Sequence, residues 1–323
     1  MVGGVPTIRV LGPVDAEIDG ARVDLGGPRQ RAVLALLVIA SGRVVSVDKI
    51  IDDLWHGEPP PRAIGALQAY ISNLRRALEP GREPRAPAAV LVSAAPGYAV
   101  RLPVKAVDAW SFENQVLSAA ELADRDRYDT LDDALRLWNG SAFAQFAAEP
   151  WVAAEAARLQ ELHLVAREQL VDAAIRVGAT AHATAEAERL VVDAPLREEG
   201  WRLLALVQYL SGRQADALAT LRRARERLAD ELGVDPGPAL QQLERDILNQ
   251  VVAQLPPIEK VVQVAPTTAA ATSVFIGRNT ELGALLACAE RAQQGHPAVA
   301  VISGEPGVGK SAILSRLHEQ LSK

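Results

Sequence analysis

Three consecutive prolines, Pro59-Pro60-Pro61, and the pair Pro80-Gly81 bracket a stretch with one regular structure open to it. Proline fixes its own φ and lacks a donor, so a helix starts after such a run and stops before the next proline. From about Arg62 to Glu79, Leu67, Tyr70, Ile71, Leu74 and Leu78 fall on one side of a helical wheel. The other side carries Arg62, Gly65, Ala69, Ser72, Asn73 and Arg76, with Gln68 and Arg75 at its flanks. That face is small near its start and rich in hydrogen-bonding groups later, which suits close entry into a DNA major groove. Asn73 has the donor and acceptor to pair with adenine, and Arg76 can meet guanine N7/O6 or a phosphate. Taken alone, the helix leaves a merely solvated face as an equal alternative.

The flanking sequence supplies the rest of a winged helix. Alternating stretches at Ile8-Arg9-Val10-Leu11 and Ala21-Arg22-Val23-Asp24-Leu25 flank the turn signal Asp19-Gly20 and predict short antiparallel strands. Val33, Leu36, Leu37 and Ala40 mark one face of a first helix from Arg29 to Ala40. Ser46 is an N-cap for a second, Val47 to Trp55, with Ile50, Ile51, Leu54 and Trp55 inward. Val90-Leu91-Val92 and Tyr98-Ala99-Val100 flank Pro96-Gly97 as a closing hairpin.

A net charge of -6 argues against a nucleic-acid partner until its distribution is considered. Residues 1–103 carry 12 Lys+Arg and 10 Asp+Glu, and the excess of acid lies beyond them. Between 60 and 85, Arg62, Arg75, Arg76, Arg82 and Arg85 face only Glu79 and Glu83 in number. Positive charge gathers where a DNA contact needs it. The single cysteine, Cys288, excludes an intramolecular disulfide and a cysteine-rich zinc site. His56, His163, His182, His296 and His318 share no metal-ligand spacing. No apolar run reaches the ~20 residues of a membrane span, and no secretory signal follows Met1, so a cytoplasmic location without membrane contact is expected.

Residues 105–250 are alanine-rich and helical, broken by turn signals at Asn139-Gly140, Gly178, Pro195, Gly212 and Gly233. Trp201, Leu204, Ala205, Ala217, Leu221 and Ala224 have the spacing of key positions in a tetratricopeptide unit, although Gln208 replaces the usual aromatic. A generic packed helix pair is the alternative. Residues 251–272, with Pro256, Pro257 and Pro266, read as a linker.

From 273 to 323 the chain starts an α/β element. Gly304-Glu305-Pro306-Gly307-Val308-Gly309-Lys310-Ser311 fits G-x-x-x-x-G-K-[ST] and follows the apolar strand Ala298 to Ile302. Its backbone N–H groups would wrap phosphates, Lys310 would sit near the β/γ oxygens, and Ser311 would coordinate Mg²⁺ through the nucleotide. Twelve residues follow Ser311, too few for a Mg²⁺ carboxylate, a water-positioning group and further strands. The segment is read as the truncated beginning of an ATPase, and nucleotide hydrolysis is not expected of it.

Gly12-Pro13, the run Arg29 to Leu37, Leu54-Trp55, the run Leu67 to Leu78 and Pro96-Gly97-Tyr98 together resemble the Streptomyces antibiotic regulatory protein family. Val107-Asp108, Phe112, Trp138 and Glu231 to Pro236 resemble landmarks of its second part, the bacterial transcriptional activator domain, so the resemblance covers 7 to about 250. The run Val274 to Leu282 resembles the start of the ATPase modules in large members. The family implies a mainly α chain with small β parts. These are an OmpR-type winged helix at 1–103, a tetratricopeptide-like helical activator domain at 105–250, and the start of a P-loop NTPase fold. It implies a non-enzymatic activator that binds direct repeats in double-stranded promoter DNA as a homodimer and contacts RNA polymerase, including its sigma factor. Secondary-metabolite genes are the implied target. No cofactor is needed for DNA binding, and ATP or ADP with Mg²⁺ belongs to the P-loop of a complete protein. The chain departs from the family at Ala94, where the wing commonly carries an arginine, and Arg101 compensates only in part. The rival reading is an ATP-dependent signalling ATPase in which the helical part is an interaction scaffold.

Overall fold

A computed structural model describes residues 4–83 and 86–251. Strands β1 (Thr7–Arg9), β2 (Asp15–Ile18) and β3 (Ala21–Arg22) form an antiparallel meander with Ile8 opposite Ala16 and Ile18 opposite Ala21. Asp19 and Gly20, with φ of 51° and 79°, make the two-residue loop between β2 and β3. Positive φ at both positions matches the twist of the strands, which is why Asp-Gly marks the turn.

Pro28 opens α1 (Pro28–Ile39), where its missing N–H costs no helical bond. The spacing predicts one apolar face, yet every residue from Ala32 to Val38 is buried. Other elements surround this helix, so burial runs around it. They are α2 (Val47–Trp55), α3 (Ala63–Leu78), β6 (Gly97–Val100) of the closing hairpin and α6 (Pro150–Arg176) of the helical part. Ser46 is the N-cap of α2, its Oγ accepting the Lys49 N–H at 3.2 Å. On α3, Leu67, Ile71, Leu74 and Leu78 are buried and Tyr70 is half-buried, on the side the wheel assigns to the core.

The hairpin is β5 (Leu91–Ala94) with β6, and β4 (Val45–Ser46), a strand too short to show in the sequence pattern, joins it in the order β4-β6-β5. Gly97 makes this possible. A Cβ there would lie 1.8 Å from the Val45 carbonyl oxygen, so only glycine lets β4 approach.

The helical part continues with α4 (Asp108–Ala119) and α5 (Asp124–Leu135) ahead of α6. Then come α7 (Thr180–Asp193), α8 (Glu198–Leu210), α9 (Gln214–Leu232) and α10 (Pro238–Leu248). Gly178, Pro195, Gly212 and Gly233 all fall in the connections, as expected of them. Trp201, Leu204 and Ala205 of α8 and Ala217, Leu221 and Ala224 of α9 are buried in one cluster, a helical hairpin of the expected kind. Gln208, where an aromatic is usual, is also buried, and its Oε1 accepts the Thr220 hydroxyl at 2.8 Å. A hydrogen-bonded polar pair thus fills the space at little desolvation cost.

Both parts belong to one compact unit. The Asn139 and Phe143 N–H groups donate to the Leu11 and Val10 carbonyls, each at 2.7 Å, and Ala144 donates to Gly12 at 3.1 Å. The segment after β1 is therefore held by backbone from a stretch roughly 130 residues further along the chain. No described helix is long and apolar enough to cross a membrane. Arg85, the expected linker beyond Val251, and the P-loop Gly304 to Ser311 lie outside the described residues.

Candidate nucleic-acid interface

The interface is built on α3, because its inner residues are fixed in the core and its outer ones are left to solvent. Arg62 sits at the N-cap position and is exposed, as are Gly65, Gln68, Ala69, Ser72, Asn73 and Arg76. A Cβ on Gly65 would meet nothing within 4 Å, so this end of the helix is open to a surface pressed against it. No side chain caps α3, and its first N–H groups together with Arg62 favour a phosphate there. Ile64 is 57% exposed next to Gly65, on a face the wheel gave no role. An exposed β-branched residue there fits contact with a thymine methyl.

Arg75 turns aside from this face. Its Nε donates to the Leu91 carbonyl at 2.7 Å and its Nη2 to the Ser93 hydroxyl at 2.9 Å. The guanidinium also lies 5.9 Å from the centre of the Tyr98 ring. One turn later, Glu79 Oε1 accepts the Ala89 and Val90 N–H groups at 2.6 and 2.9 Å. β5 is an edge strand; Arg75 of α3 bonds its open side and Glu79, the residue that follows α3, takes the N–H groups of the two residues before β5, which couples α3 to the wing.

At the wing tip, Ala94 through Pro96 offer no cation, while Arg101 lies beyond the far end of β6. Its backbone N–H donates to the Val90 carbonyl at 2.7 Å, and its side chain comes near Gly42. Arg62, Gly65, Gln68, Ala69, Ser72, Asn73 and Arg76 are thus assembled on one exposed face. Arg75 is engaged with the wing and Arg101 stands apart, at the base of the hairpin. The wheel already sets Arg76 on the outer face and Arg75 at its flank, beside the buried side of the helix, and the structure turns that flank position toward the wing.

Within the face, Asn73 Nδ2 donates to Gln30 Oε1 at 3.3 Å and Asn73 Oδ1 accepts from Arg76 Nη1 at 3.4 Å. Gln30 comes from α1 and is buried; it lies within the run Arg29 to Leu37 that carries the resemblance but has no site role on sequence grounds.

The family model for the C-terminal part of transcriptional regulatory proteins matches residues 20–100, which includes α3 and the wing. The bacterial transcriptional activator domain matches 107–248, and an AAA ATPase domain matches 274–323. Regulatory protein AfsR of Streptomyces coelicolor is 38% identical over 320 residues, covering 94% of this chain and 31% of AfsR. The chain thus spans about a third of that relative. Transcriptional regulatory protein EmbR of Mycobacterium tuberculosis is 35% identical over 315 residues, covering 96% of this chain and 78% of EmbR. Transcriptional regulator RedD of Streptomyces coelicolor is 35% identical over 251 residues, covering 77% and 72%. The solved structure of Mycobacterium tuberculosis EmbR in complex with a low affinity phosphopeptide superposes with a TM-score of 0.71 at 37% identity, covering 77% of this chain and 66% of that one. With a winged helix, an activator domain and these relatives in one order along the chain, the protein belongs to the Streptomyces antibiotic regulatory protein family of transcriptional activators.

Proposed function

We propose that this chain activates transcription by binding double-stranded promoter DNA, with α3 in the major groove and the wing beside it on the backbone. The exposed face Arg62, Gly65, Gln68, Ala69, Ser72, Asn73 and Arg76 carries this reading, since its polar groups stand clear of the core. The first 103 residues are nearly neutral, so few phosphates are neutralised and one copy binds weakly. Two copies on adjacent direct repeats would gain avidity, and the helical part is the surface for pairing and for RNA polymerase with its sigma factor. Secondary-metabolite genes are the proposed targets. In a mobility-shift assay on a promoter fragment, Asn73→Ala with Arg76→Ala should abolish the shifted band. Parent-like binding by that double variant would sink the assignment.

The AAA ATPase match at 274–323 favours a second role, a nucleotide switch in which Gly304 to Ser311 hold ATP or ADP with Mg²⁺. Nucleotide turnover lost in Lys310→Ala would raise this role above DNA binding.

A further inference from the structure

Gln30 lies in the first turn of α1 and is 8% exposed. Its Nε2 donates to the Leu25 carbonyl at 2.9 Å. A backbone carbonyl only accepts, so the amide has one orientation, with its NH₂ toward Leu25 and Oε1 pointing away. Gly26, at φ +76°, leaves the room, since a Cβ there would lie 2.7 Å from Gln30 Nε2. Oε1 in turn accepts from Asn73 Nδ2 at 3.3 Å, which settles the second amide as well. Asn73 Oδ1 is left facing Arg76, whose Nη1 donates to it at 3.4 Å. Three links share one polarity, and a buried carbonyl sets it.

We infer that Gln30 is a specificity-positioning residue, which acts through Asn73 to hold the Arg76 guanidinium ready for a guanine edge. The inference rests on the DNA-binding reading above. If the Asn73 amide were reversed, its NH₂ would face Arg76, and two donors repel. In the observed orientation one nitrogen of the guanidinium is tethered and the rest of the fork stays free, so less rotamer freedom is lost on contact. A guanidinium only donates. In the major groove guanine offers two acceptors, N7 and O6, where adenine offers one acceptor and one donor, so a held Arg76 selects guanine. Asn73 is then the connector between α1 and α3, and the adenine contact open to it on sequence grounds is given up.

The test is selection of binding sites from random duplexes by the full chain, compared among the parent, Arg76→Ala, Gln30→Met and Gln30→Glu, with thermal melting as the check on folding. The parent should prefer guanine at one position, and Arg76→Ala should reduce that preference about fivefold or more. Gln30→Met should flatten the same position and leave the others unchanged. Gln30→Glu keeps an acceptor for Asn73 but loses the donor to the Leu25 carbonyl; where melting shows it folded it should keep the preference, although its charge weakens binding to every sequence. Should Gln30→Met not fold, Asn73→Ala cuts the same relay from the surface and must flatten the same position. A folded Gln30→Met with an unaltered profile, an even loss across the site, or an Asn73→Ala effect at a different position overturns the inference alone. A parent that selects no sequence overturns the DNA-binding reading, and the inference with it.

Discussion

The carboxylate of Asp108, at the start of α4, accepts the backbone N–H of Val10, at 2.8 and 2.9 Å to its two oxygens. Leu11 donates to the same group at 3.0 Å and Ala109 at 2.7 Å. One side chain of the helical part therefore satisfies two amides that follow β1. Asp108→Ala would leave three N–H groups without their acceptor. The expected loss is about 2 kcal/mol or more of unfolding free energy. Asp108→Asn retains one acceptor and should lose less. An unchanged denaturant midpoint for the alanine variant would show that this carboxylate does not fasten the two parts.

The same seam bears on how the chain can be divided. Ile8 makes a parallel bridge to Val107, the Leu11, Val10 and Gly12 carbonyls are taken by Asn139, Phe143 and Ala144, and Trp110 Nε1 donates to the Val38 carbonyl at 3.2 Å. A fragment of residues 1–103 loses all of these partners and uncovers the side of α1 that packs on α6. Such a fragment should show no cooperative thermal transition, while residues 1–251 should unfold in one step. Sharp two-state melting of 1–103 would mean that the winged helix is self-sufficient.

Much of this fold is legible in the sequence because local chemistry decides it. Asp19-Gly20, Pro28, Ser46 and the prolines before α3 each specify a turn or a helix start, and the apolar period of α3 specifies its buried face. The attachment of the segment after β1 to residues 139–144 is not legible, since backbone hydrogen bonds carry no side-chain signature. β4 is only two residues long, and its place depends on the bare Cα of Gly97 across from it. Within the candidate interface, the wheel separates inside from outside. It cannot say where a long side chain points, so it sets Gln68 and Arg75 alike at the flanks of the outer face, although Arg75 serves the wing.

A half-buried histidine and a buried aspartate give the pH dependence opposite signs. His163 stacks on Trp138 at 4.1 Å between ring centres, and burial, with nearby Arg167, lowers its pKa to about 4 against the pull of Glu186 and Asp193. The unfolded chain protonates His163 first, so its contribution to stability is present above about pH 6.5 and is lost as pH falls toward 4. Asp108 is the reverse case. Burial raises its pKa to about 6 against three backbone donors, so the folded state takes up the proton first and stability rises as pH falls from 6 toward 4. Across that window the two largely offset one another. His163→Phe removes one side of the balance and should gain stability relative to the parent on acidification, whereas Asp108→Asn should lose it. Parallel pH–stability curves for parent and both variants would refute this pairing.

Arg75 and Glu79 predict where the wing gets its rigidity. A two-stranded hairpin is marginal alone, and β4 adds only two residues to it. The Arg75 contacts to Leu91 and Ser93 and the Glu79 contacts to Ala89 and Val90 hold the remaining edge against α3. Hydrogen bonds to charged groups contribute about 1.5–3 kcal/mol each, and about 1.4 kcal/mol is a tenfold change in an opening equilibrium. Arg75→Met keeps the apolar stem and deletes the donors. In that variant the amides of β5 and β6 should exchange with solvent roughly tenfold faster. Those of α8 and α9, in the buried cluster of the helical part, should be unchanged. Ser93→Ala removes a single link and should give a smaller acceleration confined to the same hairpin. Protection of the wing that survives Arg75→Met would leave the strand pairing itself as its source, and the coupling of the wing to α3 would then have to rest on Glu79.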